Sequence, residues 1–414
     1  MRRKSFAGAI LWAALALAPR AVADLLVGSN SYSAVLRYDQ QTGASLGTFV
    51  QPGSGGLHQT DGLTFGPDGN LYVCSEAGSA VLRYDGSSGA FLSVFVPSGS
   101  GGLDVAEDLI FGPDGNLYVS SIRGNAVLRY KGADGAFLDA FVPAGSGGLA
   151  GPTGLRFGPD GNLYVGSTRS SEVLRYDGHT GRFLGAFVTA GSGGLAMPVG
   201  LGFGPGGDLF VSSLRTDQVL RYDGQTGSFR GAHVAAGSGG LKGPYDLAFG
   251  PDGNLYVVSS GTHQVFRYDG ATGASLGAFV AAGSGGLVVP TYLTFTPQPC
   301  TPDEATLCLN GGRFRVRTRW QTADGGSGAG RAVPLTGDTG YFWFFNSANV
   351  EMVVKVLNGC GLGGYYWVFA GGLTNVEVTT TATDTRTGET RTYRNPQGTA
   401  FLPLQDTSAF ATCP

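Results

Sequence analysis

Phe65-Gly66-Pro67-Asp68-Gly69-Asn70-Leu71-Tyr72-Val73 returns along the chain with Gly66 replaced in turn by Gly112, Gly158, Gly204 and Gly250, each step being 46 residues. An eroded copy, Phe295-Thr296-Pro297, stands one period after Phe249-Gly250-Pro251. Leu25-Leu26-Val27 stands one period before Leu71-Tyr72-Val73, so the two ends of the array complete one repeat. A fixed period with a split terminal copy is the mark of a closed, radially repeated fold. Within one repeat the segments Gly62 to Phe65, Asn70 to Cys74, Ala80 to Tyr84 and Phe91 to Val96 are short, rich in Val, Leu, Phe and Tyr, and bounded by turn residues, which predicts four strands and hence a propeller blade. Pro67-Asp68-Gly69 turns the first strand into the second: Pro presets φ, Asp accepts backbone hydrogen bonds and Gly takes the left-handed position. Asp85-Gly86 and its equivalents turn the third strand into the fourth.

The Val-Leu-Arg-Tyr signature starts at Val35, Val81, Val127, Val173, Val219 and Val265, the last with Phe266 for Leu, which predicts six blades. One blade takes its inner strand, Tyr292 to Phe295, from the end of the array and its other three strands from Leu25 onward. This one-plus-three closure leaves no long open edge. The fold class expected is all-β: a six-bladed β-propeller followed by a small disulfide-stapled β-sandwich.

The expected domains are an export signal over 1–23, the propeller over 24–297 and the sandwich over 298–414. Arg2, Arg3 and Lys4, the apolar run Phe6 to Ala18 and the small residues Ala21-Val22-Ala23 have the form of a cleaved signal. A secreted or periplasmic protein starting at Asp24 follows, with no membrane span in the mature chain. Residues from Asp24 to Pro299 hold 14 basic and 21 acidic side chains, and those from Cys300 onward nine of each, so the mature chain is near −7. It lacks the basic footprint of a nucleic-acid binder, and nucleic acid is excluded as a partner.

Four of the five cysteines, Cys300, Cys308, Cys360 and Cys413, fall after the repeats, and Cys74 alone within them. In an oxidising compartment this predicts two bridges and a free Cys74. Of the three pairings, Cys300 with Cys413 is favoured because these residues bracket the domain, leaving Cys308 with Cys360. No CxxC spacing supports zinc, and His58, His179, His233 and His263 lie at non-equivalent repeat positions. The repeated Asp-Gly-Asn lacks the carboxylate spacing of a calcium loop and reads as a hairpin turn.

Beyond Pro297 the pattern changes. Arg313-Phe314-Arg315-Val316-Arg317-Thr318-Arg319-Trp320 alternates strictly, with four Arg on one face and Phe, Val, Thr and Trp on the other. Further strands are expected over Tyr341 to Phe345, Met352 to Leu357, Tyr365 to Phe369, Val376 to Thr383 and Thr390 to Arg394, with Thr387-Gly388 in the last hairpin.

The repeats resemble NHL repeats and the related bacterial propellers around streptogramin lyase and gluconolactonase, over Leu25 to Pro297. The later segment resembles a C-terminal module of secreted bacterial proteins of unknown role. The resemblance implies the fold. Gluconolactonase-like enzymes are understood to hold a divalent cation near the axis with a Glu, Asn and Asp set, and streptogramin lyases to use a particular His. Neither set maps residue by residue onto this chain. The resemblance implies at most an axial Ca or Mg near Glu107, Asp61 or Asp246.

Strand direction alternates within a blade, so the loop before the first strand and the loop between the second and third open on one face. Arg123, Arg169 and Arg215 share one position in the second-to-third-strand loops of three successive blades, where the others have Ala77, Gly261 and Ser31. On the approach to the inner strands stand Asp61, Glu107, Asp108 and Asp246, with Tyr245 and Tyr292 in corresponding slots. Together these predict a polar mouth whose guanidinium groups grip a carboxylate or sugar hydroxyls while acids and tyrosines supply acceptors and stacking surfaces. The alternative is a solvated ring of inter-blade salt bridges. No catalytic set is evident. The expected function is a secreted, non-catalytic binding protein, monomeric, whose partner is a small polar ligand, a carbohydrate or a protein, with the sandwich used for attachment. The alternative is a metal-dependent hydrolase or lyase of the gluconolactonase or streptogramin-lyase type.

Overall fold

A computed structural model describes residues 23–297, 300–386, 388–410 and 412–413. Residues 1–22 of the export signal expected over 1–23, the linker residues 298–299 and Thr387 of the last hairpin lie outside the described residues.

Six four-stranded antiparallel sheets form the first part of the chain. Their inner strands, Thr60–Phe65, Ala106–Phe111, Pro152–Phe157, Pro198–Phe203, Pro244–Phe249 and Pro290–Phe295, follow one another round an axis, and the last packs on the first. Pro290–Phe295 pairs with Leu25–Ser29, Leu25 opposite Phe295, so the two ends of the array share one sheet. We number this sheet blade 1 and the others 2 to 6 in chain order.

The repeated residues each have a packing reason. Tyr72 lies edge-on to Phe95 of its own blade (4.8 Å between ring centres) and to Phe111 of the next (4.9 Å), and its hydroxyl donates to Asp68 Oδ2 at 3.0 Å. The Phe of one Phe-Gly-Pro unit therefore packs on the Tyr of the preceding blade, which holds neighbouring blades together. The Tyr of Val-Leu-Arg-Tyr donates to the Ser carbonyl of a Ser-Gly-Gly turn: Tyr84 to Ser54, Tyr130 to Ser100 and, across the closure, Tyr38 to Ser284, each at 2.8 Å. Asp68 also accepts from Asn70 N (3.0 Å) and Nδ2 (2.7 Å), so the Asp-Gly-Asn unit is a self-satisfied turn.

The inner strands begin two residues earlier than the spacing predicts. In blade 2, Thr60 faces Ser75 but Leu63 faces Val73, and the same slip occurs in blades 3 to 6. One extra residue is held in a β-bulge, which re-aims the side chains around it. Asp61, Glu107 and Tyr245 thus belong to the inner strands, as Asp108, Asp246 and Tyr292 do, and not to the loops before them.

The later residues form two five-stranded sheets. The first is ordered Leu307–Leu309, Phe314–Gln321, Glu377–Asp384, Thr390–Asn395, with Ser327–Ala329 on the second strand; the other is ordered Arg331–Pro334, Thr339–Trp343, Met352–Asn358, Tyr366–Gly372, Leu404–Phe410. One apolar core, including Phe314, Val316, Phe342, Val354, Val368 and Phe410, lies between them. Buried Arg313 donates through Nε and Nη2 to Asp384 Oδ2 at 3.0 and 2.8 Å and through Nη1 to the Tyr366 hydroxyl at 3.1 Å, joining the two sheets. It is therefore not one of the outward arginines that the alternation predicts.

The cysteine pairing differs from the one favoured above. The bridges are Cys300–Cys308 and Cys360–Cys413, with Cα atoms 5.4 and 5.6 Å apart, while Cys74 is free and buried. The two ends of the domain attach to different sheets, so bracketing residues do not meet. Cys300 N–H donates to Gly312 O, which sets Cys300 beside the hairpin that carries Cys308. The register Tyr366 to Phe410 brings the end of the last strand beside the short helix Cys360–Gly363. Arg386 Nη1 lies 3.5 Å from the carbonyl oxygen of Pro67, so the sandwich touches a Pro-Asp-Gly turn, at the end of the blade opposite the arginine loops.

Candidate functional site: an arginine rim above a closed axis

The six acids and tyrosines expected at an open mouth are instead packed into the axis. Asp61, Glu107, Asp108, Asp246 and Tyr292 are each no more than 2% exposed. Tyr245 of blade 6 reaches across the axis and donates its hydroxyl to Glu107 Oε1 of blade 3 at 2.7 Å; the Tyr292 hydroxyl lies 3.4 Å from the same oxygen. The two rings meet edge-on, 5.6 Å between centres, with Val199 in the same apolar cluster. Tyr292 is buried and Tyr245 half-buried, and their rings meet across the axis.

A second layer crosses nearer the sandwich. Arg156, from blade 4, puts Nη1 3.5 Å from Asp108 Oδ2 and Nη2 3.9 Å from Asp246 Oδ1. Each acid also accepts a backbone N–H from the next blade: Leu155 to Asp108 at 2.9 Å and Leu293 to Asp246 at 3.1 Å. These carboxylates fasten blade to blade.

Burial raises the carboxyl pKa of all four acids. Glu107 is pushed up to about 7, chiefly by burial, against the lowering effect of its bond from Tyr245. Asp246 is also pushed up to about 7 by burial, with Arg156 opposing, and Asp108 rises less clearly for the same balance of causes. Asp61 rises furthest from its ordinary value: burial leads, and Glu107 and Glu76 add repulsion. Neither Asp61 oxygen makes a hydrogen bond of good geometry, although the Asn30 amide lies close enough to favour the carboxylate slightly and Glu76 close enough to oppose it. A proton on Asp61 resolves this, because the acid can then donate to Glu76, whose Oε2 already accepts from Asn30 Nδ2 at 3.0 Å.

Among the described residues no group of three or more His, Cys, Asp and Glu side chains is placed to hold a metal ion. The guanidinium of Arg156 supplies positive charge between Asp108 and Asp246, and the Tyr245 and Tyr292 hydroxyls face Glu107. Arg156 and Glu76 were not among the candidates read from sequence, yet both depart from their repeat columns. Arg156 is the one charged residue among Thr64, Ile110, Gly202, Ala248 and Thr294, and Glu76 the one acid among Asn30, Ile122, Thr168, Leu214 and Ser260.

The three loop arginines are exposed. Arg169 Nη1 lies 3.4 Å from the Asn125 amide oxygen and Arg215 Nε 2.6 Å from the Met197 sulfur, both neutral partners. Among the described residues no ion pair involves Arg123, Arg169 or Arg215. The Val-Leu-Arg-Tyr arginines behave differently, each facing an aspartate: Arg37 with Asp24, Arg83 with Asp68, Arg129 with Asp114, Arg175 with Asp160, Arg221 with Asp208 and Arg267 with Asp252, at 2.5 to 3.9 Å. The rim is thus not a ring of salt bridges.

Ring and closed axis together define a β-propeller joined to a β-sandwich. No known family matches the chain, and no curated protein does. Solved structures share the ring. A chain of a nidogen–laminin complex is 16% identical, covers 67% of this chain and 100% of its own length, and superposes with a TM-score of 0.54. A protein of unknown function from Bacteroides caccae is 15% identical with a TM-score of 0.51, covering 66% and 99%. A gluconolactonase from Xanthomonas campestris is 20% identical over 57% of this chain and 79% of its own, with a TM-score of 0.45. At these identities the likeness is one of fold.

Proposed function

We propose that the protein is an exported, non-catalytic binding protein whose propeller presents the Arg123, Arg169 and Arg215 rim to a partner bearing carboxylates or sugar hydroxyls, with the sandwich serving as an attachment domain. The observation that carries this reading is the contrast between six arginines neutralised by aspartates and three, on one face of successive blades, left without an acid. An exposed guanidinium fork without a carboxylate is free to bind one bidentately. The closed axis supports the same reading, since a catalytic acid there would have to be reached through the Glu107–Tyr245 bridge. A ring of the same shape is part of a nidogen–laminin complex, so the fold is compatible with protein assembly. The two disulfides accord with an oxidising compartment, and no described helix is long and apolar enough to cross a membrane.

The test is a glycan microarray and an acidic-peptide array, probed with the wild-type protein and with an Arg123→Gln, Arg169→Gln, Arg215→Gln triple variant. Binding that falls at least tenfold in the variant, whose melting temperature stays unchanged, is the expected result. Equal binding by both proteins would overturn the assignment of the rim. The hydrolase or lyase reading requires stoichiometric Ca or Mg in purified protein, together with turnover of a lactone or a cyclic depsipeptide.

A further inference from the structure

The outward face of the first sandwich sheet carries a lattice of arginines and threonines. On Phe314–Gln321, Phe314, Val316 and Thr318 are buried against the core, while Arg317 and Arg319 are exposed and Arg315 half-buried on the other side. The cross-strand register sets Arg315 opposite Thr383, Arg317 opposite Thr381 and Arg319 opposite Thr379, and Thr379 in turn opposite Arg394. Outward residues of one strand recur about every 6.8 Å and neighbouring strands lie about 4.8 Å apart, so guanidinium and hydroxyl groups alternate over a flat surface.

Negative charge on this face is insufficient for the arginines present. Glu377 is engaged by Arg394 through hydrogen bonds of 3.1 and 2.9 Å, and Asp303 lies 3.7 Å from Arg317. Among the described residues no ion pair involves Arg315 or Arg319. Burial and the neighbouring charge of Arg317 both disfavour the charged form of Arg315, with Asp303 only partly compensating.

We propose that this face binds an extended acidic polysaccharide, carboxylated or sulfated, laid across the strands. Arginine forks match carboxylate and sulfate oxygens, and threonine hydroxyls can exchange hydrogen bonds with sugar hydroxyls. The outward residues of the three long strands include no aromatic or aliphatic side chain. A bilayer would need such groups as anchors, and single-stranded nucleic acid would need them as stacking platforms. The chain as a whole is acidic, so its net charge does not favour a polyanion and the attraction must come from the local charge of this patch. The face is separate from the propeller rim, and either assignment can fail alone.

The experiment uses the whole chain with polygalacturonate and dextran sulfate as probes, neutral dextran as control, and phosphatidylglycerol vesicles and single-stranded DNA as competing arms. Saturable, salt-sensitive binding to at least one acidic polysaccharide is expected, weakened tenfold or more by an Arg315→Gln, Arg319→Gln double variant and unaffected by the rim triple variant. Thr381→Glu, which adds a carboxylate to the middle of the lattice and removes no observed bond, is expected to weaken it similarly; if the double variant fails to fold, Thr381→Glu decides. Failure of both polysaccharides to bind, equal affinity in the variants, or tighter binding to vesicles or DNA would overturn the proposal.

Discussion

Asp61 shows what burial does to a carboxyl group at the axis of the ring. Its folded-state pKa lies above the ordinary value, as do those of Glu107 and Asp246 at about 7. The sign follows from linkage. Between the ordinary carboxyl range and about 7 the folded protein holds protons that the unfolded chain has released, so these acids favour folding at low pH and that stability is lost as pH rises through the window. Asp61→Asn keeps the shape and a donor for Glu76 while removing the ionisation. The variant is expected to melt higher than wild type at pH 8 and no higher at pH 4.5, giving a flatter curve of melting temperature against pH. A variant that melts lower at pH 8 would mean that Asp61 is held there as a carboxylate.

The turns within and between blades depend on glycine for two different reasons, which substitution can separate. Gly178 closes onto the Pro-Asp-Gly turn so tightly that a Cβ would lie 1.8 Å from the carbonyl oxygen of Gly161, and the equivalent glycines of four other blades are as tight. Gly99 has φ of +72° but open space around it. Gly178→Ala must displace backbone and is expected to cost about 3 kcal/mol, whereas Gly99→Ala bears only the left-handed penalty of about 1 kcal/mol. Urea denaturation of the two variants measures both; equal losses would show that the turn yields to the methyl group. The repeat spacing located these turns, but the reason for each glycine is a contact between two hairpin ends.

The whole molecule is held by closures of very different length. Cys300–Cys308 spans 8 residues and Cys360–Cys413 spans 53. A cross-link restricts the unfolded chain more when its loop is longer, so removing the long one is expected to cost about 4 kcal/mol and the short one about 2.5 kcal/mol. Paired Cys→Ala variants, compared by urea unfolding under oxidising conditions, test the order. A larger loss from the Cys300 and Cys308 pair would place the main constraint at the entry to the sandwich instead of at its C-terminal end.

The sequence by itself determined the repeat, the four strands per blade, the turns between them and the sharing of one sheet by both ends of the array. Those features follow from local chemistry recurring at a fixed interval, and Pro67-Asp68-Gly69 or Val81-Leu82-Arg83-Tyr84 carries the same information at each return. Sequence also separated Arg123, Arg169 and Arg215 from the repeat pattern, because residues that break a strict period stand out. Only the tertiary structure decided what the departures do. A one-residue bulge turned Asp61, Glu107 and Asp246 from an expected mouth into a buried axis, and the meeting of Tyr245 with Glu107 joins positions 138 residues apart. The cysteine pairing was decided in the same way, by which sheet each chain end joins. Contacts across an axis or between sheets leave no spacing in the sequence, since they depend on how six near-identical units close on one another.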